Sequence, residues 1–125
     1  MRIKKFNEAE QYVAPNHQEC HSIRLAGFEK TGPENFWVGH TNFLPGGGAG
    51  PDASPLEKVY HILEGELTIE VDGKSEFAVK GDTVFIPGGE MREIRNKTNE
   101  IVKMIVVMPY PPKKGQKSYE INKLI

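Results

Sequence analysis

The sequence lacks the cysteines needed for an internal disulfide, because Cys20 is its only one. Its first residues, MRIKKFNEAEQ, are charged where a secretory signal peptide has a hydrophobic stretch, so we expect no signal peptide. Small secreted domains often depend on disulfides, whereas the cytoplasm keeps thiols reduced. We therefore expect a cytoplasmic protein.

Neither sign of charge is in large excess, with 16 Lys and Arg against 17 Asp and Glu. A protein that binds nucleic acid or an anionic membrane usually carries a basic patch or stripe. Long apolar runs are also missing, because the longest, around residues 104–108, is far shorter than the ~20 residues of a membrane-spanning helix. We expect a soluble protein whose partners include neither nucleic acid nor membrane.

Long helical segments are missing as well, because 13 glycines and 9 prolines interrupt the chain too often. The clearest pattern is a hairpin in which residues 66–71 alternate polar and apolar, turn at Asp72-Gly73 and return through residues 75–79. Similar short segments predict further strands at residues 20–28, 35–44, 59–63, 83–86, 91–95 and 101–108. About eight short strands are typical of an all-β sandwich or barrel.

The length of 125 residues indicates one domain with one hydrophobic core. We expect a barrel core over about residues 20–109, an N-terminal arm over residues 1–19 and a C-terminal tail over residues 110–125. Within the arm, residues 1–14 predict a short strand with a helical turn around residues 8–12. The glycine-rich stretch at residues 46–50 is interpreted as a flexible connection between strands.

Two segments place turn residues at fixed spacings. These residues are Gly46, Gly65, Gly81, Pro87, Gly89 and Asn96. The spacings resemble the two motifs of the cupin family, G-x5-H-x-H-x3-E-x6-G and G-x5-P-x-G-x2-H-x3-N, and every interval is preserved. The resemblance covers roughly residues 36–108 and implies an all-β, cupin-type jelly-roll β-barrel.

The four motif positions at which cupins carry metal ligands hold other residues here, namely Asp52, Ser54, Lys58 and Arg92. A protonated lysine and a guanidinium have no lone pair to give, and their positive charge repels a metal ion. We therefore expect neither a metal nor another cofactor. The family includes metal-dependent dioxygenases, isomerases and decarboxylases, metal-independent epimerases, and barrels that only bind a small molecule.

One alternative restores a metal site through a one-residue β-bulge, which would turn Glu57 and His61 into the barrel. It requires a costly change of register in the strand at residues 59–63. A second possible metal cluster, formed by His17, Cys20 and His21, matches no standard spacing. His40 is either a ligand-binding residue at the barrel mouth or a neutral histidine packed in the core.

The cupin pattern of strand parity implies that Lys58, Tyr60 and Arg92 point into the barrel, with Asp52 and Ser54 at its rim. Unpaired charges in a partly dry cavity are costly, so the surplus positive charge needs a partner. In one interpretation a small organic anion, such as a carboxylate or keto acid, supplies it.

In the anion-binding interpretation, Arg92 grips the carboxylate, Lys58 acts as base or nucleophile and Tyr60 as proton donor. An anion-binding arginine with a base and a proton donor suits a metal-independent isomerase, lyase or decarboxylase. In the other interpretation, Asp52 and Glu90 form salt bridges with the cations, and the protein is a non-catalytic binding or assembly module. The sequence leaves both open.

We also expect a homodimer. The strand predicted at residues 101–108 is apolar, open sheet edges need cover, and single-domain cupins commonly pair through such strands.

Overall fold

The computed structural model describes residues 1–112, which contain nine β-strands and one short 3-10 turn, Phe6–Glu8. The strands are β1 (Glu10–Tyr12), β2 (His17–Ala26), β3 (Phe36–Asp52), β4 (Lys58–Glu64), β5 (Glu66–Val71), β6 (Lys74–Val79), β7 (Thr83–Ile86), β8 (Arg92–Arg95) and β9 (Val102–Pro109). The predicted all-β fold is confirmed. No helix in the described residues is long and apolar enough to cross a membrane.

The strands form one antiparallel sheet that curls into a nearly closed barrel. Its main order is β6-β5-β8-β3-β9-β4-β7, with β2 on β3 and β1 on β2. The 17-residue strand β3 joins the two halves, because its first part pairs with β9 and its last part pairs with β8. Strands from distant parts of the chain therefore face one interior.

Alternation along the strands builds the core. In β4, Lys58, Tyr60 and Ile62 are buried while the residues between them are more exposed, as the predicted parity requires. The same alternation buries Val102 and Met104 in β9. The period-two pattern in the sequence therefore identified the inward faces of these strands.

The predicted hairpin is present as β5 and β6, paired over their full lengths from Glu66–Val79 to Val71–Lys74. Asp72 and Gly73 both have positive φ, 52° and 74°, as a two-residue turn that follows the twist of the strands demands. The Asp-Gly pair therefore fixes the register of this hairpin.

Residues 46–50 are not a flexible connection, as the sequence interpretation held, but part of β3. A side chain at Gly47 would collide with the backbone carbonyl of Glu19 in β2, and one at Gly48 with that of Ile94 in β8. The glycines are there because neighbouring backbones approach too closely for a Cβ atom.

In the N-terminal arm the helical turn lies at Phe6–Glu8, and strand β1 occupies residues 10–12, where the sequence predicted the turn. Strand β2 begins at His17, three residues before the predicted start of the barrel core. At the other end, the Tyr110 hydroxyl accepts a hydrogen bond from the Phe28 amide at 3.0 Å and donates one to the Pro33 carbonyl at 2.7 Å. The remainder of the predicted tail, residues 113–125, lies outside the described residues.

The reason given for a homodimer needs correction, because β9 is not an edge strand. It pairs with β3 on one side and β4 on the other. The ends of the main sheet order are β6 and β7 instead. The dimer itself stays a prediction.

Candidate functional site

A cavity of about 250 Å³ opens inside the barrel. Lys58, Tyr60 and Arg92 lie in its wall, together with Asp52 and Ser54. Strand β4 presents Lys58 and Tyr60 to the interior as alternate residues, and β8 presents Arg92 from the opposite part of the sheet. The structure thus brings together five of the seven residues proposed from the sequence.

Lys58 and Arg92 are buried cations, only 6% and 4% exposed. Burial, together with the positive charge of Arg92, lowers the pKa of Lys58 to about 8, while Asp52 acts in the opposite direction. About a tenth of the Lys58 amine is therefore unprotonated at pH 7, far more than for an ordinary lysine, and this form can act as a base or nucleophile.

Tyr60 in β4 is hydrogen-bonded to Arg92 in β8. The Arg92 Nε atom donates a hydrogen bond to the Tyr60 hydroxyl at 3.2 Å. Burial raises the pKa of Tyr60, so its hydroxyl keeps its proton. The Arg92 Nη1 atom is also buried, yet it has no hydrogen-bond partner among the described residues. A buried guanidinium nitrogen without an acceptor indicates a place for one.

The salt-bridged interior is not present in the described part of the chain. None of the ion pairs within residues 1–112 includes Lys58 or Arg92. Asp52 lies opposite Arg92 across the β3–β8 pairing but stays beyond ion-pair distance. Glu90 does not line the cavity and borders a separate groove of about 590 Å³ beside β6 and β7. The salt bridges of that interpretation are therefore absent from the described residues, while the non-catalytic module itself stays a prediction.

Ser54 sits at the rim in a turn that it stabilises itself. Its side-chain oxygen accepts a hydrogen bond from the Leu56 amide at 3.1 Å, and its carbonyl accepts one from the Gly89 amide at 2.7 Å. These bonds hold the connection between β3 and β4 against the loop before β8. Ser54 consequently has a structural role at the cavity mouth.

His17 lines the same cavity, although the sequence gave it no role there. Its Nδ1 atom lies 2.7 Å from the Pro15 carbonyl and so carries the proton, which leaves Nε2 as an acceptor. Burial lowers the pKa of His17, and the charges of Arg92 and Lys58 lower it further, against the opposing effect of the Pro15 bond. The cavity therefore contains a neutral histidine beside its two cations.

Arg24 is a second residue that the sequence interpretation missed. Its guanidinium carbon lies 4.3 Å from the ring centroids of Tyr12 and Phe28 and 5.2 Å from that of Trp37. All four residues line the cavity. An arginine in a predicted strand gives no such signal by itself, because the three rings come from distant parts of the chain.

His40 does not reach the cavity. It lies on the outer face of β3, half-buried, with its ring edge-to-face against Phe6 at 5.7 Å. The core packing and the ligand-binding role considered for His40 both assumed an inward side chain, which the alternation with buried Gly39 and Thr41 excludes.

The bulged register is also wrong. Glu57 and His61 are exposed, and the His61 ring bonds to Thr83 at 2.9 Å on the outside of the barrel. The described residues contain no group of three or more His, Cys, Asp and Glu side chains placed to hold a metal ion. At the family's metal position, Lys58 and Arg92 replace two of the donors, so the residues present do not fit a metal.

The fold and the cavity define a small β-barrel protein with a positively charged internal site. The family profile described as "Cupin domain" matches residues 39–108. The chain therefore belongs to the cupin family, as its motif spacings predicted.

Two curated proteins and a solved structure are similar to this chain. It is 38% identical over 111 residues to "Beta-D-galactosidase Rv1717" of Mycobacterium tuberculosis, covering 89% of this chain and 96% of that protein. It is 25% identical over 104 residues to "Tetracenomycin polyketide synthase protein TcmJ" of Streptomyces glaucescens, covering 81% and 70%. The polyketide cyclase RemF from Streptomyces resistomycificus matches over 98% of both chains, with a TM-score of 0.77 and 17% identity.

Proposed function

We propose that this protein binds a small organic anion, such as a carboxylate or keto acid, in the barrel cavity and transforms it without a metal. The observation that carries this proposal is the pair of buried cations, Lys58 and Arg92, which form no ion pair with any described residue. Unpaired buried charge costs several kcal/mol, so a bound anion would stabilise this arrangement.

Arg92 suits the binding role. Its Nε atom is occupied by Tyr60, while its buried Nη1 atom is free of partners among residues 1–112. Because the bond to Tyr60 fixes the plane of the guanidinium, the Nη1 atom is a donor of fixed direction for a carboxylate oxygen. Tyr60 thereby orients the group that holds the ligand.

Lys58 suits the chemical role. Its lowered pKa, about 8, gives an amine that can take a proton from a carbon next to a carbonyl group or attack that carbonyl. Tyr60 keeps its own proton and lies two residues along the same strand, so it can donate to a developing oxyanion. Isomerisation, elimination and decarboxylation of a small keto acid all use these steps.

A binding experiment tests the first half of the proposal. Thermal-shift screening of monocarboxylates, keto acids and sugar acids should identify stabilising ligands, whose affinity calorimetry then measures. Arg92→Lys should weaken the best ligand by about tenfold or more although the charge is kept, because a charged hydrogen bond is worth roughly 1.5–3 kcal/mol. Arg95→Lys is the matched control, since Arg95 lies three residues on in β8 and pairs with Glu93 instead.

Turnover tests the second half. Lys58→Met removes the amine but keeps an unbranched side chain, so it should retain much of the affinity and lose all conversion of the ligand. Wild-type protein that binds an anion without converting it would support the non-catalytic binding module. Absence of any stabilising anion would contradict the proposal as a whole.

Hydrolysis of a β-D-galactoside is a second candidate, favoured by the 38% identity to a protein of that name. Most glycosidases use a pair of carboxylates, whereas Asp52 is the only acidic residue among the described residues that line this cavity. Release of nitrophenol from a nitrophenyl β-D-galactoside, lost in Asp52→Asn and kept in Asp72→Asn on the distant hairpin turn, would support this candidate. No release by wild-type protein would contradict it.

A further inference from the structure

Two guanidinium groups, not one, border the cavity with a buried nitrogen that lacks a partner. The Nη1 atom of Arg92 and the Nε atom of Arg24 are both inaccessible to solvent and unbonded among the described residues. Neither arginine belongs to an ion pair in this part of the chain. Buried donors are nearly always satisfied in native proteins, so each nitrogen indicates a missing acceptor.

The sheet register separates the Arg24 backbone from that of Tyr60, the partner of Arg92, by three strands. Arg24 lies opposite Gly39, Gly39 opposite Val106, and Val106 opposite Tyr60, whose hydroxyl binds Arg92. Three strand spacings separate Arg24 from Tyr60, which is about 14 Å measured along the curved wall. The two arginines therefore enter the cavity from different parts of its wall, Arg24 from β2 and Arg92 from β8.

The surface between them is mainly apolar. Three side chains of β9, Met104, Val106 and Met108, line the cavity between the Arg24 end and the Tyr60 end. Trp37, opposite Met108, covers the wall beside Arg24. A ligand that crosses this surface buries an apolar middle section, while a polar one would lose its hydrogen bonds to water.

Aromatic rings hold the Arg24 guanidinium in place. The rings of Tyr12 and Phe28 each lie 4.3 Å from its guanidinium carbon, which fixes the plane of the group. Arg24 also lines a separate surface pocket with Glu8, Glu10 and Glu29, but none of these carboxylates lies within ion-pair distance of it, and Glu29 binds Arg2 at 2.9 Å and Lys4 at 3.0 Å. Glu29 therefore does not neutralise Arg24.

We infer that Arg24 is a second anion anchor, and that the cavity binds a dianion in which an apolar spacer joins two acidic groups. This inference rests on the proposed function and narrows it to a substrate class. Arg92 and Lys58 hold one acidic group, where the chemistry takes place. Arg24 holds the other.

Calorimetric titration with two matched series of probes tests the inference. Succinate, glutarate, adipate and pimelate carry two carboxylates, whereas butanoate, pentanoate, hexanoate and heptanoate carry one at the same chain length. Wild-type protein should bind its best dicarboxylate at least tenfold more tightly than the monocarboxylate of equal length. Arg24→Gln should abolish this advantage, and Arg95→Gln, outside the cavity, should change neither affinity.

A far-UV spectrum and a thermal midpoint establish whether Arg24→Gln folds, since its stacking partners lose a cation. If Arg24→Gln does not fold, Arg24→Lys replaces it in the titrations. The preference for the dicarboxylate should still decrease, because an ammonium group lacks the planar pair of donors that a guanidinium offers a carboxylate. Equal binding of both series, or an advantage that survives in these variants, would overturn the second anchor but leave the proposed function intact. Failure of every member of both series to bind would overturn the second anchor, and the broader anion screen would then decide the proposed function separately.

Discussion

Lys58 brings its amine into a cavity that already contains the Arg92 guanidinium. Its pKa falls from 10.5 to about 8 because burial disfavours the charged amine and Arg92 adds to that effect. Between these two values the unfolded chain holds a proton on Lys58 that the folded protein has released. The free energy of unfolding therefore rises with pH in this range.

Comparison of wild-type protein with Lys58→Met isolates this effect. From pH 7.5 to 9.5, below the titration of the buried tyrosines, wild type should gain about 2 kcal/mol of stability relative to the variant. Urea unfolding at several pH values measures the difference. A stability difference that does not change with pH would show that Lys58 keeps an ordinary pKa in the folded state.

His17 titrates in the opposite part of the pH range. Its pKa is lowered in the folded state, chiefly by burial, so the unfolded chain takes up a proton first as the pH falls. Wild-type protein should lose stability below about pH 6.5, the ordinary histidine value, and His17→Gln should lose less. The matched substitution for comparison is His21→Gln, at an exposed position of the same strand.

Single residues were predictable from the sequence where a strand pattern fixed their direction. Lys58, Tyr60 and Arg92 occupy positions whose parity follows from the motif spacing, and their inward placement is confirmed. Arg24 and His17 were missed because their surroundings are nonlocal. Arg24 depends on rings brought together only by the fold, and His17 lies in a part of β2 that the pattern did not include.

Strand β3 shows what local sequence can and cannot define at the scale of an element. The β5–β6 hairpin was predictable because its turn and its pairing lie within a few residues of each other. The length of β3 was not, since residues 46–50 are extended only because β2 and β8 pair with them. From the sequence alone, a glycine-rich stretch of this kind predicts a loop, because the strands that pair with it are not yet known.

Two substitutions in this segment distinguish the two reasons for a glycine, a positive φ angle and a neighbouring backbone too close for a Cβ atom. Gly46 has a φ of 85° but open space around its Cα, so Gly46→Ala should cost only about 1–2 kcal/mol. At Gly48 the new methyl group meets the Ile94 carbonyl and the Arg95 side chain, so Gly48→Ala should cost about 3 kcal/mol or more. Denaturant unfolding decides between them, and equal losses would mean that β8 moves aside freely.

At the scale of the whole molecule, the barrel has two sheet edges that carry apolar side chains. Strands β6 and β7 each pair on one side only, and Phe77 and Phe85 on them are 64% and 57% exposed. Exposed edges of this kind favour pairing with another chain. These strands, rather than β9, now provide the physical reason for the expected homodimer.

Light scattering tests the dimer against the chain mass of 14.0 kDa. Wild-type protein should show twice this mass at micromolar concentration, and the double variant Phe77→Glu, Phe85→Glu should show the single mass. Ile3→Glu, which charges an equally exposed residue away from both edges, should remain dimeric. A monomeric wild type would remove the prediction.

Trp37 is the only tryptophan in the chain, and it lies in the wall of the cavity beside Arg24. Its fluorescence therefore reports on this one place, with no background from other indoles. A ligand that reaches Arg24 alters the charge and the solvent next to the indole ring, and so shifts the wavelength or the intensity of its emission. A ligand confined to the Arg92 end leaves the emission nearly unchanged, so the protein carries a built-in optical sensor of how far a bound molecule extends.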